Sequence, residues 1–136
     1  MVTTYAQKRK RKMARIKGKN TRPELLVRSA LHKKGYRFRL HYVSLPGKPD
    51  IVLKKYRTVI FVNGCFWHQH RGCRLAKIPK TRIDFWKDKL RKNVRRQHVN
   101  IAYIKCAGYK IIVVWECQIY KNTEKVVKKI IATIKK

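Results

Sequence analysis

Acid is what this sequence has least of. Six Asp or Glu stand against 37 Lys or Arg in 136 residues, a net charge of +31. An ordinary domain is near charge balance. A lysine-biased composition decorating solvated faces explains part of the excess, but not the whole. Such a chain is expected to bind polyanions by releasing their counterions, and nucleic acid is the obvious candidate. Long hydrophobic runs are also missing. No stretch approaches the roughly 18 to 20 apolar residues of a membrane span, and the opening "MVTTYAQKRKRKMARIKGKN" contains no apolar signal core. The expectation is an intracellular protein, cytoplasmic and associated with the nucleoid, with no membrane partner. What is present is 44% hydrophobic residues, enough at this length to build one core.

Residues 1–20 are basic and poor in large apolar side chains, and are expected to form a flexible arm that orders on nucleic acid. The remaining domain, 21–136, begins at "TRPE", where a capping Thr21, a Pro in the first turn and Glu24 three residues on mark a helix start, with Gly35 as its stop. "YRFRLHY", Tyr36 to Tyr42, alternates apolar and basic residues and predicts a strand with one wet face. "DIVL" and "TVIFV" predict two buried antiparallel strands after the turn "SLPGKP". Thr81 and Asp84 repeat the capping pattern before a helix of about 25 residues that ends at Gly108. "YKIIVVWEC" predicts a central strand, followed by a polar bridge and a terminal helix carrying Val126, Val127, Ile130, Ile131 and Ile134. The order predicts a mixed α/β sheet with helices packed on it.

One short stretch concentrates the chemistry: "VNGCFWHQHRGC", Val62 to Cys73. Cys65, His70 and Cys73 give a C-x4-H-x2-C spacing, and Cys117 lies at the end of a strand that could return to them. That Cys3His set suits a closed tetrahedral zinc site, whose work is to hold a loop. Disulfides are the less expected use of these cysteines in a reducing compartment. Cys106 is expected in the core. Asp50 opens an apolar run directly after "PGKP", where a buried carboxylate is costly unless paired. Mg²⁺ is one natural partner, and shaping the turn is the plainer alternative. Glu24 has the same two readings, cap or site carboxylate. His68 is not needed by the zinc and is well placed in pKa for proton transfer. Phe66 and Trp67 lie on a loop rather than a periodic face, as a wedge between base pairs would, although core packing suits either one alone.

Together, "SLPGKPDIVL", "YRTVIFVNGCFWHQH", "PKTRIDFWKDKLRKNVRR" and "VVWEC" resemble the very short patch repair (Vsr) DNA mismatch endonucleases over roughly Lys10 to Cys117. The resemblance implies a restriction-endonuclease-like fold with a structural zinc. It also implies Mg²⁺-dependent nicking of one DNA strand, 5′ of the T in a T·G mismatch. It assigns Asp50 and Glu24 to the catalytic metal region, with the Val62 carbonyl as a further Mg²⁺ ligand, and His68 to catalysis. Cys65, His70, Cys73 and Cys117 correspond to the zinc ligands, and Phe66, Trp67 and Trp86 to the aromatics that intercalate beside the mismatch. The implied partners are duplex DNA and mismatch-repair proteins, and the implied state is a monomer. Three departures stand out. Val62 replaces a threonine, the spacer between His70 and Cys73 is one residue longer, and Gln97 stands where an aspartate orients the catalytic histidine. Glutamine can accept a hydrogen bond from the ring but cannot stabilise an imidazolium as a charge would, which predicts weaker activity, a shifted pH dependence or reliance on another group such as Asp84 or Asp88. The alternatives are a nicking nuclease of a mobile element on the same fold, or a zinc-stabilised DNA-binding protein with impaired catalysis. A basic ribosomal or RNA-binding protein fits the composition but leaves Asp50 and His68 unexplained.

Overall fold

The computed structural model describes residues 20–136, and the expected arm at 1–20 therefore lies almost wholly outside the described residues. The chain runs α1 (Arg22–Lys33), β1 (Arg39–Leu40), β2 (Ile51–Leu53), β3 (Thr58–Asn63), α2 (Ile83–Cys106), β4 (Lys110–Trp115), α3 (Glu116–Lys121) and α4 (Thr123–Lys135). The sheet order is β1-β2-β3-β4. The first two pairings are antiparallel, and β4 returns parallel to β3 after the α2 crossover.

Period-two alternation explains how both faces of this sheet are used. Ile51, Leu53, Ile60 and Val114 face a core shared with Val27 and Leu31 of α1, Ile119 of α3, and Val126, Val127, Ile130 and Ile134 of α4. Val52, Val59 and Phe61 face the other way, against Ile104 of α2. The "DIVL" and "TVIFV" runs are continuously apolar because both of their faces are covered, as expected for buried strands. The terminal helix forms as its apolar spacing predicts, and Asn122 caps it by accepting a hydrogen bond from the Lys125 amide at 3.1 Å.

Several expectations are corrected. The strand read over Tyr36 to Tyr42 is only two residues long, both exposed, because His41 adopts φ +48° and turns the chain out of the ladder. The late strand is an edge strand rather than a central one. Cys117 follows it, as the second residue of α3, and the polar bridge is itself helical. Cys106 ends α2 exposed and is no part of the core. Neither predicted capping box forms. Thr21 makes no side-chain cap, and the Glu24 carboxylate, which would complete the box, is committed to His41 and Arg28. The N-cap of α2 is Arg82, left-handed at φ +54°, with its guanidinium 4.3 Å from the Phe85 ring centre.

Gly47 shows how the "PGKP" turn sits against α2. At φ +79°, a side chain there would strain the backbone, and its first carbon would meet Asn100 Nδ2 at 2.8 Å. That close approach fixes the turn that delivers Asp50 to the start of β2.

Candidate active site and metal centre

Three chain segments bring Glu24, His41 and Asp50 together. Glu24 comes from the first turn of α1 and is 1% exposed. His41 follows β1, and Asp50 directly precedes β2. One ligand atom from each lies within 4.8 Å of the others. His41 Nε2 is 2.6 Å from Glu24 Oε1, and the Val62 amide donates to Asp50 Oδ2 at 2.7 Å. Burial pushes the Asp50 carboxyl up to about 7, the Glu24 charge adds to this, and the Val62 N–H opposes it. Two carboxylates in so little water, facing one another, form a site that a cation would relieve. Val62 thus touches Asp50 through its amide. His41 went unnoticed in the sequence because it sits at the end of an alternating run, where it reads as one more polar residue on a wet face.

The second cluster is Cys65, His70, Cys73 and Cys117, again with one ligand atom each within 4.8 Å. His70 Nδ1 lies 3.5 Å from Cys65 Sγ and 3.4 Å from Cys117 Sγ. A tetrahedral centre with metal–sulfur bonds near 2.3 Å and metal–nitrogen bonds near 2.0 to 2.1 Å would set that edge at about 3.6 Å, so the donors are spaced to hold an ion. Burial pushes the Cys65 thiol up to about 12, while hydrogen bonding from the Leu75 backbone draws the Cys73 thiol down. A cation would resolve that asymmetry by taking the place of the thiol protons. The His70 ring stacks on Trp115 at 4.1 Å and 9°. Glu116 adds a tie that no spacing announced: its Oε1 accepts from the Cys65 amide at 2.9 Å. The loop is therefore anchored to the start of α3 by one hydrogen bond, beside the candidate ligand Cys117.

His68 lies between these clusters in sequence. Burial holds its ring below the usual imidazole range, and among the described residues its Nδ1 is a buried atom with no partner. Gln97 does not reach it. The Gln97 amide is locked in a reciprocal pair with buried Asn63, Asn63 Nδ2 to Gln97 Oε1 and Gln97 Nε2 to Asn63 Oδ1, each at 2.8 Å. Each amide gives one hydrogen bond and accepts one, so turning Gln97 to the ring would break both and leave buried Asn63 without these partners. Nor does an alternative acid serve: Asp88 pairs with Arg91 and Lys92, and Asp84 is exposed.

Phe66, Trp67 and Trp86 do come together. Their ring centres are 5.0 to 6.1 Å apart, and all three are half-buried. Phe85, which was not singled out in the sequence, joins by an edge contact with Trp86 at 5.2 Å and is 44% exposed. Arg82 and Lys89 lie over this cluster, Lys89 at 5.9 Å from both Trp67 and Phe85. Beyond it Lys87, Arg91 and Arg95 line an open groove along α2, with Gln69 on the opposite wall. No described helix is long and apolar enough to cross a membrane.

Comparison with known proteins gives the chain a family. Residues 2–74 match the family model described as DNA mismatch endonuclease Vsr. The chain is 48% identical over 113 residues to the type II nicking enzyme V.XorIIP of Xanthomonas oryzae, covering 83% of this chain and 82% of that protein. It is 47% identical over 107 residues to the type II nicking enzyme V.NmeAIP of Neisseria meningitidis, covering 79% and 76%. To the DNA mismatch endonuclease Vsr of Escherichia coli it is 43% identical over 109 residues, covering 80% and 69%. With half the sequence under one family model and such identity over most of each relative, the chain belongs to the Vsr DNA mismatch endonuclease family.

Proposed function

We propose that this protein nicks one strand of duplex DNA on the 5′ side of the T in a T·G mismatch. The observation that carries the reading is the meeting of buried Glu24 with half-buried Asp50, with Asp50 fixed by the Val62 amide, in a chain of this family. Asp50, Glu24 and the Val62 carbonyl would hold Mg²⁺, which when bound supplies Lewis-acid stabilisation of the scissile phosphate and a nucleophilic water. Zinc is the ion that the Cys3His set suits best, and its role is to keep the loop after β3 in shape. His68, whose Nδ1 is buried, offers Nε2 for proton transfer. Phe66, Trp67 and Trp86 open the base stack, and the surrounding cations hold the phosphates. The fold is of the restriction-endonuclease class, the protein acts as a monomer, and residues 1–20 serve as an arm on the duplex. Mismatch-repair proteins are the expected partners, in the cytoplasm.

The test incubates the full chain with Mg²⁺ and end-labelled duplexes carrying T·G, other mismatches or matched pairs. A single nick 5′ of the mispaired T is expected, with Asp50→Ala slower by about 10²-fold or more. No metal-dependent nick on any duplex would sink the nuclease reading, and equal cleavage of matched DNA would sink the mismatch specificity.

A further inference from the structure

We infer that His41 is a third protein ligand of the catalytic cation, so that this site is a mixed nitrogen–oxygen site that favours Mn²⁺ over Mg²⁺ more strongly than its two carboxylates alone would. The inference rests on the proposed function, because it assigns a further residue to that reading's cation site.

Three independent features converge on His41. Its backbone sits at φ +48°, a conformation that costs a non-glycine residue about 1 kcal/mol or more and is retained where the surroundings demand it. Its amide donates to the Asp50 carbonyl at 3.3 Å, which ties the residue to one carboxylate's backbone. Its Nε2 meets the other carboxylate, Glu24 Oε1, at 2.6 Å. The left-handed turn therefore lifts the imidazole off the wet face of the sheet and aims it at the one point where Glu24 and Asp50 converge.

A histidine that only neutralised Glu24 would not need to share that point with Asp50, and Arg28 already stands 3.8 Å from the same Glu24 oxygen. At 2.6 Å a proton lies between Nε2 and Glu24 Oε1; an entering cation would displace it to solvent, leaving the ring proton on Nδ1 and an N,O,O donor set. Mg²⁺ prefers all-oxygen surroundings and gives up water reluctantly. Imidazole nitrogen suits the transition metals better.

The test titrates Mn²⁺ and Mg²⁺ into the full chain carrying one equivalent of zinc, and records pulsed electron paramagnetic resonance spectra of the Mn²⁺ form. We expect coupling from a directly bonded ¹⁴N in the native protein. In folded His41→Gln the coupling should vanish and the Mn²⁺ to Mg²⁺ affinity ratio should fall about tenfold, a change of roughly 1.4 kcal/mol in selectivity. His68→Ala should keep the coupling, and this variant decides the matter if His41→Gln fails to fold. Absence of ¹⁴N coupling in the native protein, its survival in His41→Gln, or its loss in His68→Ala would overturn the assignment. Mismatch nicking without ¹⁴N coupling leaves the function standing and removes His41. Coupling without nicking on any duplex does the reverse.

Discussion

A carboxyl group in water is ionised well below neutrality, but in this fold Asp50 holds its proton to about 7. A folded pKa above the unfolded one means that the native state favours the protonated form. The resulting stabilisation is complete below the ordinary carboxylate range and is lost as pH rises through about 7, amounting to roughly 4 kcal/mol across that span. Metal-free protein should therefore melt at least about 5 °C lower at pH 8 than at pH 5. That slope should flatten in Asp50→Asn, and a divalent cation should restore the lost stability at high pH. Melts followed by circular dichroism check each part, and a native slope no steeper than that of Asp50→Asn would contradict the burial argument. Asp50 was legible in the sequence because a carboxylate opening an apolar run is conspicuous. His41 and Asn63 were not, because what gives them meaning lies far along the chain, Glu24 for one and Gln97 for the other. The loss of an acidic partner for His68 was visible as Gln97. Its pairing with Asn63 was not, since side-chain partners do not follow from spacing.

Among the elements, those buried on a periodic face were read correctly: β2, β3, α2 and α4. Some errors fell where a single left-handed residue or a competing side-chain contact overrides local pattern, at His41 after β1 and at Arg82 before α2, and others where tertiary position decides, as for β4 at the sheet edge and the helix over the polar bridge. The loop after β3 is a third kind of element, with little regular structure beyond short turns and one 3-10 turn at Arg74–Ala76. On the proposed reading its order depends on Cys65, His70, Cys73 and Cys117, which could grip an ion, and on the Glu116 contact to the Cys65 amide. Stripping that ion with a chelator should lower stability by about 4 kcal/mol relative to protein with free zinc at a thousand times its Kd, and should expose residues 64–80 to protease before any helix is cut. Trp115 fluorescence should shift with the same titration, because its ring stacks on His70. Unchanged protease resistance after verified zinc loss would show that hydrogen bonds alone hold the loop.

For the whole molecule, a net charge of +31 makes affinity for duplex DNA a matter of how many phosphates are contacted. Each contact contributes about 0.9 to the slope of log K against log salt. Lys87, Arg91 and Arg95 line the groove along α2 beside the aromatic cluster. Replacing Lys87 and Arg95 together by alanine should reduce that slope by about 2 and weaken matched and T·G duplexes alike. Trp67→Ala should instead erode the preference for the mismatch while leaving the salt slope intact. Fluorescence anisotropy at several salt concentrations separates the two, and an unchanged slope in the double variant would place the phosphates elsewhere. The parallel pairing of Thr58 to Asn63 with Lys110 to Trp115 has a temporal consequence. During synthesis the carboxylates and most of the cysteine loop emerge early, but the strand that flanks β3, the Glu116 tether and the Cys117 thiol emerge only after the whole of α2. Closing so long a loop is slow compared with forming a hairpin. The nascent chain therefore carries its acids and His68 for some time before it can clamp the loop that bears His68, and hydrolytic competence arrives as one of the last events of folding.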